Sequence, residues 1–364
     1  MLNPLSNLNL MVSSAAGVGT ISAMHKASSP KSILQYIVNF LTLGGVRRDN
    51  EKEYQVLVQF MADELSKTGY NRGGEFPEKI VMDDFNGYKV VFSLSVSNSS
   101  SKQVIIEVSK DNLSESAEVP FGTFEKVCKT LMFRREFSIP QHGIVLTEEG
   151  GMYLKDANLS GVKLIQEDLS YADLSNAIMD EKSNMFMTNL SYADLKGCRL
   201  FNVPMYKTNL SGACLEHAVL FGVEMNNCEA VGANVKYASL TGSSIFKCNL
   251  TRADMRNSTL LACDISDSNL EYCDLSGANM LGAKLNGDNL TGVKLKNTNL
   301  DNSTLTNLIL EDVDLTKTQL ENCTSSNLLL EGSIISKAAN LSLNGFYSET
   351  HQITEPLLKD TEVR

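Results

Sequence analysis

The chain has 364 residues, which is enough for two or three domains of ordinary size. Hydrophobic residues make up 43% and charged residues 21%, a balance that excludes both a disordered acidic chain and a bundle of membrane helices. With 32 Lys and Arg against 43 Asp and Glu, the net charge is −11, and no basic surplus favours binding to nucleic acid.

The amino-terminal part of the chain predicts a leader followed by a small domain. Residues 1–28 are predicted to be a disordered leader, because the first 25 contain no Asp, Glu, Lys or Arg and are rich in Ser, Asn, Ala and Gly. They lack the basic segment that begins a Sec signal peptide. Residues 29–148 mix helix and strand patterns, and we expect an α+β domain that caps the repeats after it.

Local signals define the elements of this domain. Ser29 is a helix N-cap and Pro30 fits the first helical turn. Asn86-Gly87 lies between two runs of strand-forming residues, which is typical of a β-hairpin. Arg134 and Arg135 are expected in solvent. The predicted elements are a helix over 30–45, a helix that begins near Asn50, a hairpin over 81–92, a strand over 102–109 and a helix over 123–137.

From Met185 to Ile335, every fifth residue belongs to one class. Of these 31 positions, 29 are Leu, Ile, Val or Met, and two residues before them 28 of 31 are Ala, Ser, Thr, Cys or Val. The same pattern runs from Leu154 to Met179 in another phase, so one extra residue is inserted near Asp180. A period of five matches neither a helix nor a flat strand. It predicts a chain that turns a corner every five residues and points one large and one small side chain inward.

Units such as Ala172-Asp173-Leu174 and Ala253-Asp254-Met255 resemble the pentapeptide-repeat family, whose units follow the pattern A(D/N)LXX. The resemblance covers residues 149–340 and implies a mainly β fold, a right-handed quadrilateral β-helix with four units per coil. Residues twenty apart, such as Leu220 and Leu240, are then expected to stack. Asn and Asp beside the core are expected to bond the backbone at the corners.

The inward positions also hold most of the cysteines and one carboxylate. Asp288 occupies a small inward position, and we expect its side chain to escape to water because Gly287 lets the coil bulge. Cys128 is expected in the core of a helix. There is no CxxC pair and no shared histidine motif, so neither a metal site nor a cofactor is predicted. Six cysteines are expected to fill the interior as free thiols, which favours a reducing compartment: Cys198, Cys228, Cys248, Cys263, Cys273 and Cys323.

Three segments, SSPKSIL (28–34), GGVRRDNE (44–51) and FEKVC (124–128), resemble the PipB effectors. These are pentapeptide-repeat proteins that bacterial pathogens inject through a type III secretion system. With the repeats, the resemblance covers most of the chain. It implies that residues 1–28 are a secretion leader, and that the protein acts peripherally on host endosomal or vacuolar membranes.

Residues 341–364 predict a carboxy-terminal tail. One branch of the PipB effectors recruits the motor kinesin through a short aromatic motif near the carboxy terminus, so the resemblance implies kinesin light chain as a host partner. The matching stretch contains Leu343, Phe346 and Tyr347, and Gly345 departs from that branch's motif.

A second predicted contact surface lies on the repeats. The residue directly after each large inward position is expected to point outward and be polar, yet two columns on adjacent faces carry large apolar side chains there. A contiguous apolar patch of this kind is typical of a partner-binding surface. Its residues are Phe186, Phe201, Tyr206, Phe221, Phe246, Leu261 and Leu281.

These features favour a non-enzymatic injected effector that acts as a scaffold or adaptor for host proteins, without nucleic acid or a small-molecule substrate. Two alternatives stay open. An enzyme would need convergent titratable groups within residues 30–145. A DNA-mimicking protein that binds a topoisomerase would need a continuous acidic stripe, and one column holds four interrupted aspartates: Asp194, Asp254, Asp274 and Asp314.

Overall fold

The computed structural model describes residues 30–41, 51–70, 75–96, 102–141, 143–336 and 352–354. The chain forms two compact units that divide between Tyr153 and Leu154. The predicted leader, residues 1–28, lies outside the described residues.

The first unit is an α+β domain. Helices α1 (Pro30–Asn39) and α2 (Glu51–Lys67) precede an antiparallel sheet, and helix α3 (Phe121–Glu136) follows it. The strands pair in chain order, as β1 (Lys79–Phe85), β2 (Tyr88–Val96), β3 (Lys102–Lys110) and β4 (Leu113–Pro120).

The predicted hairpin is confirmed between β1 and β2. Asn86 and Gly87 have φ angles of 55° and 76°, the left-handed pair that a two-residue turn between twisted strands requires. Helix α2 buries Leu57 and Leu65 in the same core as the strands, as its apolar periodicity predicts. Cys128 on α3 is fully buried in this core.

Strand β4 is missing from the sequence prediction. Its burial alternates poorly, because Val119 is its single buried residue. The strand forms because Asp111, with φ of 55°, turns the chain and brings Leu113 opposite Lys110 of β3. Pairing with β3, and not hydrophobic patterning, therefore decides that this segment is extended.

Arg134 is fully buried, so the expectation that it lies in solvent is wrong. Its Nη2 donates to the carbonyl oxygen of Ile144 at 2.7 Å and to that of Tyr153 at 2.6 Å. The guanidinium thus ties α3 to the segment that ends the first unit, and these carbonyl bonds offset part of the cost of burying a charge.

The second unit is a quadrilateral β-helix. Bridge partners such as Asn209 and Glu229 are parallel and twenty residues apart, so each coil holds four units of five. Backbone hydrogen bonds join successive coils, for example from Leu190 N to Asn209 O at 2.7 Å. The short strands are β5 (Ile178–Met179), β6 (Arg199–Leu200), β7 (Glu224–Asn226), β8 (Ser244–Phe246), β9 (Asp264–Ser266), β10 (Lys284–Asn286), β11 (Thr304–Ile309), β12 (Thr324–Leu329), β13 (Ile334–Ser336) and β14 (Gln352–Thr354).

Most corners of the β-helix use two residues, and the second has a left-handed backbone. At one corner Tyr192 has φ of 58°, and the N–H of Ala193 bonds the carbonyl oxygen of Leu190 at 3.1 Å. The Asn or Asp before a large inward residue supports the next turn, as Asn209 Oδ1 does by accepting from Ser211 N at 3.0 Å. The expectation for Asn and Asp at the corners is confirmed.

The interior of the β-helix is filled by the two inward classes. Leu200, Leu220 and Leu240 stack one coil apart and are at most 2% exposed. Two cavities along the axis have volumes of about 10 Å³ each, roughly what one water molecule needs. The six inward cysteines are buried too. The predicted solid interior is therefore confirmed.

The extra residue near Asp180 is absorbed at a corner. Bridge partners are twenty apart at Asn158 and Ile178, but twenty-one apart at Lys163 and Asn184. The Asp180 carboxylate lies inside this enlarged corner and accepts the N–H groups of Gly161 and Lys182. The large inward residues therefore stay stacked on both sides of the insertion, although their phase in the sequence shifts by one residue.

Leu240→Asp is expected to lower the free energy of unfolding by at least about 3 kcal/mol, because it removes a buried leucine and places a carboxylate without a partner between two coils. Thermal melting of the full chain measures the loss. Thr241→Asp, one residue further on the outer surface, is the control and is expected to melt close to the unaltered protein. Equal melting of both variants would contradict the interior assignment.

Two glycines at equivalent corners differ in what lies above them. Gly212 and Gly232 both have left-handed φ, at 66° and 64°. A Cβ on Gly212 would lie 2.5 Å from Cε1 of Tyr192, whereas a Cβ on Gly232 would meet nothing within 4 Å. The Tyr192 ring also stacks on Tyr171 at 5.2 Å, so Gly212 leaves the space in which that ring lies.

Gly212→Ala is expected to destabilise the protein by about 1 kcal/mol more than Gly232→Ala does. Both variants carry the same backbone cost, but only the first displaces an aromatic ring from its stack. Chemical denaturation of the two variants gives the difference. When Tyr192→Ser is added to both variants, the difference between their free energies of unfolding should disappear. A difference that persists would show that the contact with the Tyr192 ring is not its cause.

Candidate functional site: the outer apolar surface

The seven predicted outer residues all lie on the outside of the β-helix. We call them the apolar surface: Phe186, Phe201, Tyr206, Phe221, Phe246, Leu261 and Leu281. Phe221 is 48% exposed, Phe201 and Leu281 are each 39% exposed, and the other four are half-buried. The backbone bond from Asn202 N to Phe221 O at 2.9 Å places the Phe201 and Phe221 corners on successive coils.

The apolar surface has polar borders. Tyr206 donates its hydroxyl to the Glu224 carboxylate, a bond that raises the pKa of the tyrosine. Lys247 Nζ lies 4.7 Å from the centroid of the Phe246 ring. The column of Phe201 continues to Asp301 and Glu321, so charge ends the surface toward the last coils. The apolar surface is therefore confined to the middle coils and surrounded by polar residues. Protein–protein interfaces commonly have such a polar rim around an apolar centre.

Exposed tyrosines at the second corner position form another outward set, which sequence analysis missed. Tyr192 is 60% and Tyr237 51% exposed. His217 stacks on Tyr237 with centroids 5.1 Å apart, and Arg252 lies over Tyr272 at 5.8 Å. The signal was available, because these residues share the period of five at the position after the apolar columns.

Two of the four aspartates in the acidic column are paired with basic neighbours. Asp254 receives two hydrogen bonds of 2.8 Å from Arg256 and an ion pair of 3.1 Å from Lys236. Lys294 lies 3.6 Å from Asp274. Hydrogen bonds from Arg256 and Lys236 hold the pKa of Asp254 at about 2 in spite of partial burial. Paired carboxylates of this kind do not imitate a run of free phosphates, so the geometry disfavours a DNA mimic.

The small inward column that ends at Asp288 forms a buried hydrogen-bond ladder. The N–H of Cys248 donates to Ser268 Oγ at 3.1 Å, and the N–H of Ser268 donates to Asp288 Oδ1 at 2.8 Å. The side chains bond back toward the preceding coil, as Cys248 Sγ does to the carbonyl oxygen of Met225 at 3.2 Å. Small polar residues are thus satisfied inside the β-helix, as buried polar groups generally are.

Asp288 ends this ladder and is fully buried, so the expectation that it escapes to water is wrong. Its second oxygen accepts the N–H of Asn286 at 2.9 Å. The carboxylate stays inside because its two oxygens accept hydrogen bonds from two backbone N–H groups, those of Ser268 and Asn286. Burial raises its pKa to about 7, although the two hydrogen bonds act in the opposite direction.

The stability of the β-helix is expected to fall as the pH rises from about 4 to 7. Over this range the unfolded carboxyl of Asp288, with its ordinary pKa of 3.8, loses its proton while the folded one keeps it. The melting temperature of Asp288→Asn should not show this loss of stability between about pH 4 and 7, because an amide does not titrate. Glu331→Gln, which changes an exposed acid about two coils further along the β-helix, is the control and should keep this pH dependence. The same pH dependence in both variants would contradict the role of Asp288.

The described residues contain no group of His, Cys, Asp and Glu that could hold a metal ion. Burial raises the pKa of the Cys198 and Cys263 thiols to about 12, so these interior thiols are poor nucleophiles at neutral pH. Within the described ranges, no helix has the length and apolar character needed to cross a bilayer. The tail residues Leu343, Phe346 and Tyr347 lie outside the described residues.

The α+β unit and the five-residue β-helix define a class, the pentapeptide-repeat proteins with a separate amino-terminal domain. Residues 27–134 match the model of "Secreted effector protein PipB2, N-terminal domain". The pentapeptide-repeat model matches residues 153–181, 183–222, 224–260, 263–287 and 289–324, and its first gap coincides with the enlarged corner. The chain is therefore PipB-like, with a PipB2-type amino-terminal domain followed by pentapeptide repeats.

Individual relatives agree with this assignment. The chain is 48% identical over 167 residues to the secreted effector protein PipB2 of Salmonella typhimurium, covering 46% of this chain and 48% of that protein. It is 35% identical over 163 residues to PipB of the same species, covering 44% of this chain and 55% of that protein. The chain thus spans about half the length of the curated relatives it matches.

Solved structures are similar to both parts. The NMR structure of the PipB2 amino-terminal domain from Salmonella is 47% identical and covers 33% of this chain and 99% of that one, with a TM-score of 0.28. HetL, a pentapeptide-repeat protein from the cyanobacterium Nostoc, is 26% identical and covers 50% of this chain and 86% of that one, with a TM-score of 0.41.

Proposed function

We propose that this protein is a non-enzymatic secreted effector that acts as an adaptor at host endosomal or vacuolar membranes. Its relatives are named as secreted effectors, which supports injection into a host cell. The filled interior of the β-helix supports a binding role, because it has no cavity large enough for a substrate. The adaptor has two contact elements, the apolar surface and the tail.

The apolar surface is the observation that carries the proposal. Its aromatic and leucine side chains stand on a backbone that is hydrogen-bonded from coil to coil, so they lose little conformational freedom when a partner binds. Leu281 is followed by Gly282, where an added Cβ would meet nothing within 4 Å, which leaves room for a partner to approach this side chain. A host protein with an apolar contact segment fits this surface.

The tail provides the second proposed contact. Leu343, Phe346 and Tyr347 supply the aromatic and aliphatic character by which related effectors recruit kinesin, and kinesin light chain is the partner that this stretch would bind. Gly345 increases backbone freedom within the stretch, so we expect weaker binding than a motif without glycine would give.

Replacing Phe201, Phe221 and Phe246 with Ser together should reduce capture of host proteins at least about tenfold, because it removes the aromatic anchors of the surface. Pull-down from host-cell lysate with quantitative mass spectrometry gives the measurement. The matched control replaces Tyr171, Tyr237 and Tyr272, exposed tyrosines at the second corner position, with Ser. It should retain the same partners.

Melting curves should show that both triple variants are folded, since all six residues point outward. The control should melt somewhat lower than the unaltered protein, because it loses the ring stacks of Tyr171 and Tyr237. Loss of the partners from both triple variants would contradict a specific apolar surface. Replacing Leu343, Phe346 and Tyr347 with Ser together in the full chain separates the two contacts, because this variant should keep partners of the apolar surface and lose kinesin light chain. Capture of kinesin light chain by this variant would contradict the role of the tail.

A further inference from the structure

The last coil of a β-helix, unlike the inner coils, has one edge with no neighbouring coil. An inner coil pairs its backbone with the coil before and the coil after it, whereas the last coil has one row of N–H and C=O groups left over. Among the described strands, β12 pairs with β11 alone. Strand β13, further along the same coil, pairs with β14.

Strand β14 continues the stacking of the coils. It is parallel to β13 and in register with it, with Ile334 opposite Gln352 and Ile335 opposite Ile353. The partners are eighteen residues apart, close to the twenty of a regular coil. The chain therefore places one of its own strands where the next coil of the β-helix would begin, about 4.8 Å beyond the last coil.

The end that β14 partly covers has none of the usual protection against strand pairing. Natural proteins protect sheet edges with charged side chains, proline or bulges. The sequences of β12, TSSNLL, and of β13, IIS, contain no charged residue and no proline. Leu329 on β12 is 48% exposed. An edge of this composition accepts another strand readily.

We propose that β14 is a strand cap that prevents this end of the β-helix from pairing with the same end of a second copy of the chain. Without it, two copies associate end to end about a two-fold axis, with antiparallel pairing between their last coils. With it, a strand projects from one side of the end, and a second copy cannot bring β12 within hydrogen-bonding distance of its counterpart.

Two observations favour a second copy as the occupant of the uncapped end. Strand β13, on the same coil as β12, already binds a strand through its backbone, so the geometry of this end suits strand pairing. A two-fold axis brings identical uncharged strands together, which makes the contact self-complementary. Glu321 and Glu331 at the nearby corners repel their counterparts, so added salt should strengthen the association by screening them.

The test uses the full chain with Ile353→Pro, which removes a backbone donor and breaks β14, and Ile353→Val as the matched control. Sedimentation velocity over a wide concentration range measures self-association. We expect a dimer whose dissociation constant is at least about tenfold lower for the proline variant than for the valine variant. A proline variant that keeps its circular dichroism spectrum and stays as monomeric as the control would overturn the proposal.

A second substitution locates the contact. Adding Ser326→Lys to the proline variant places a charge on the β12 edge and should restore the monomer. A dimer that survives this change would show that another surface associates, and would overturn the proposal. If the proline variant unfolds, hydrogen exchange of the unaltered protein decides. The amide of Ile335, which lies opposite Ile353, should then be protected as strongly as that of Ile334, which is bonded to the preceding coil at Val313 O. Rapid exchange at Ile335 would exclude a stable cap.

This proposal is independent of the adaptor function. The apolar surface lies on the middle coils and the strand cap at the last coil, so their variants share no residue. If the apolar-surface variant loses host partners and stays monomeric, the result bears on the adaptor function alone. If the Ile353→Pro variant dimerises and still captures the same partners, the result bears on the strand cap alone.

Discussion

The structure of the second unit depends on the stacking of one coil on the next at an interval of twenty residues. Backbone hydrogen bonds fix that interval, and they bring each large inward residue over another of the same class, as with Leu200 and Leu220. A shift of one residue would point polar corner residues into the interior. The protein therefore absorbs its one extra residue at a corner, where Asp180 accepts the freed N–H groups.

The same stacking of coils fills the interior, so the outer surface of the β-helix is where a partner can bind. Four corners per coil leave an interior wide enough for one large and one small side chain per side, and the two cavities described along its axis hold about one water each. The outward positions have no such restriction, so their side chains vary freely from coil to coil. The apolar surface, the tyrosine stacks and the paired aspartates all occupy these positions.

Inside the β-helix, polar groups are accepted where the coil geometry gives them partners. The ladder from Cys248 to Asp288 satisfies backbone N–H groups that point inward. A carboxylate at its end couples the stability of the fold to pH, because its pKa lies near neutrality. The interior is thus a column of specific hydrogen bonds as well as a packed apolar core.

The β-helix, its inward residues, its phase shift and the outer apolar columns could all be predicted from residue patterns, because nearly every partner in a repeat lies at one fixed spacing along the chain. Local signals likewise predicted the hairpin at Asn86-Gly87. The pairing of β4, the burial of Arg134 and Asp288, and the docking of β14 on β13 became visible only in the folded chain. Each of these features depends on a hydrogen-bond partner whose position in the sequence follows no period. Hydrogen bonds to that partner outweigh the tendency of the polar residues involved to remain in solvent.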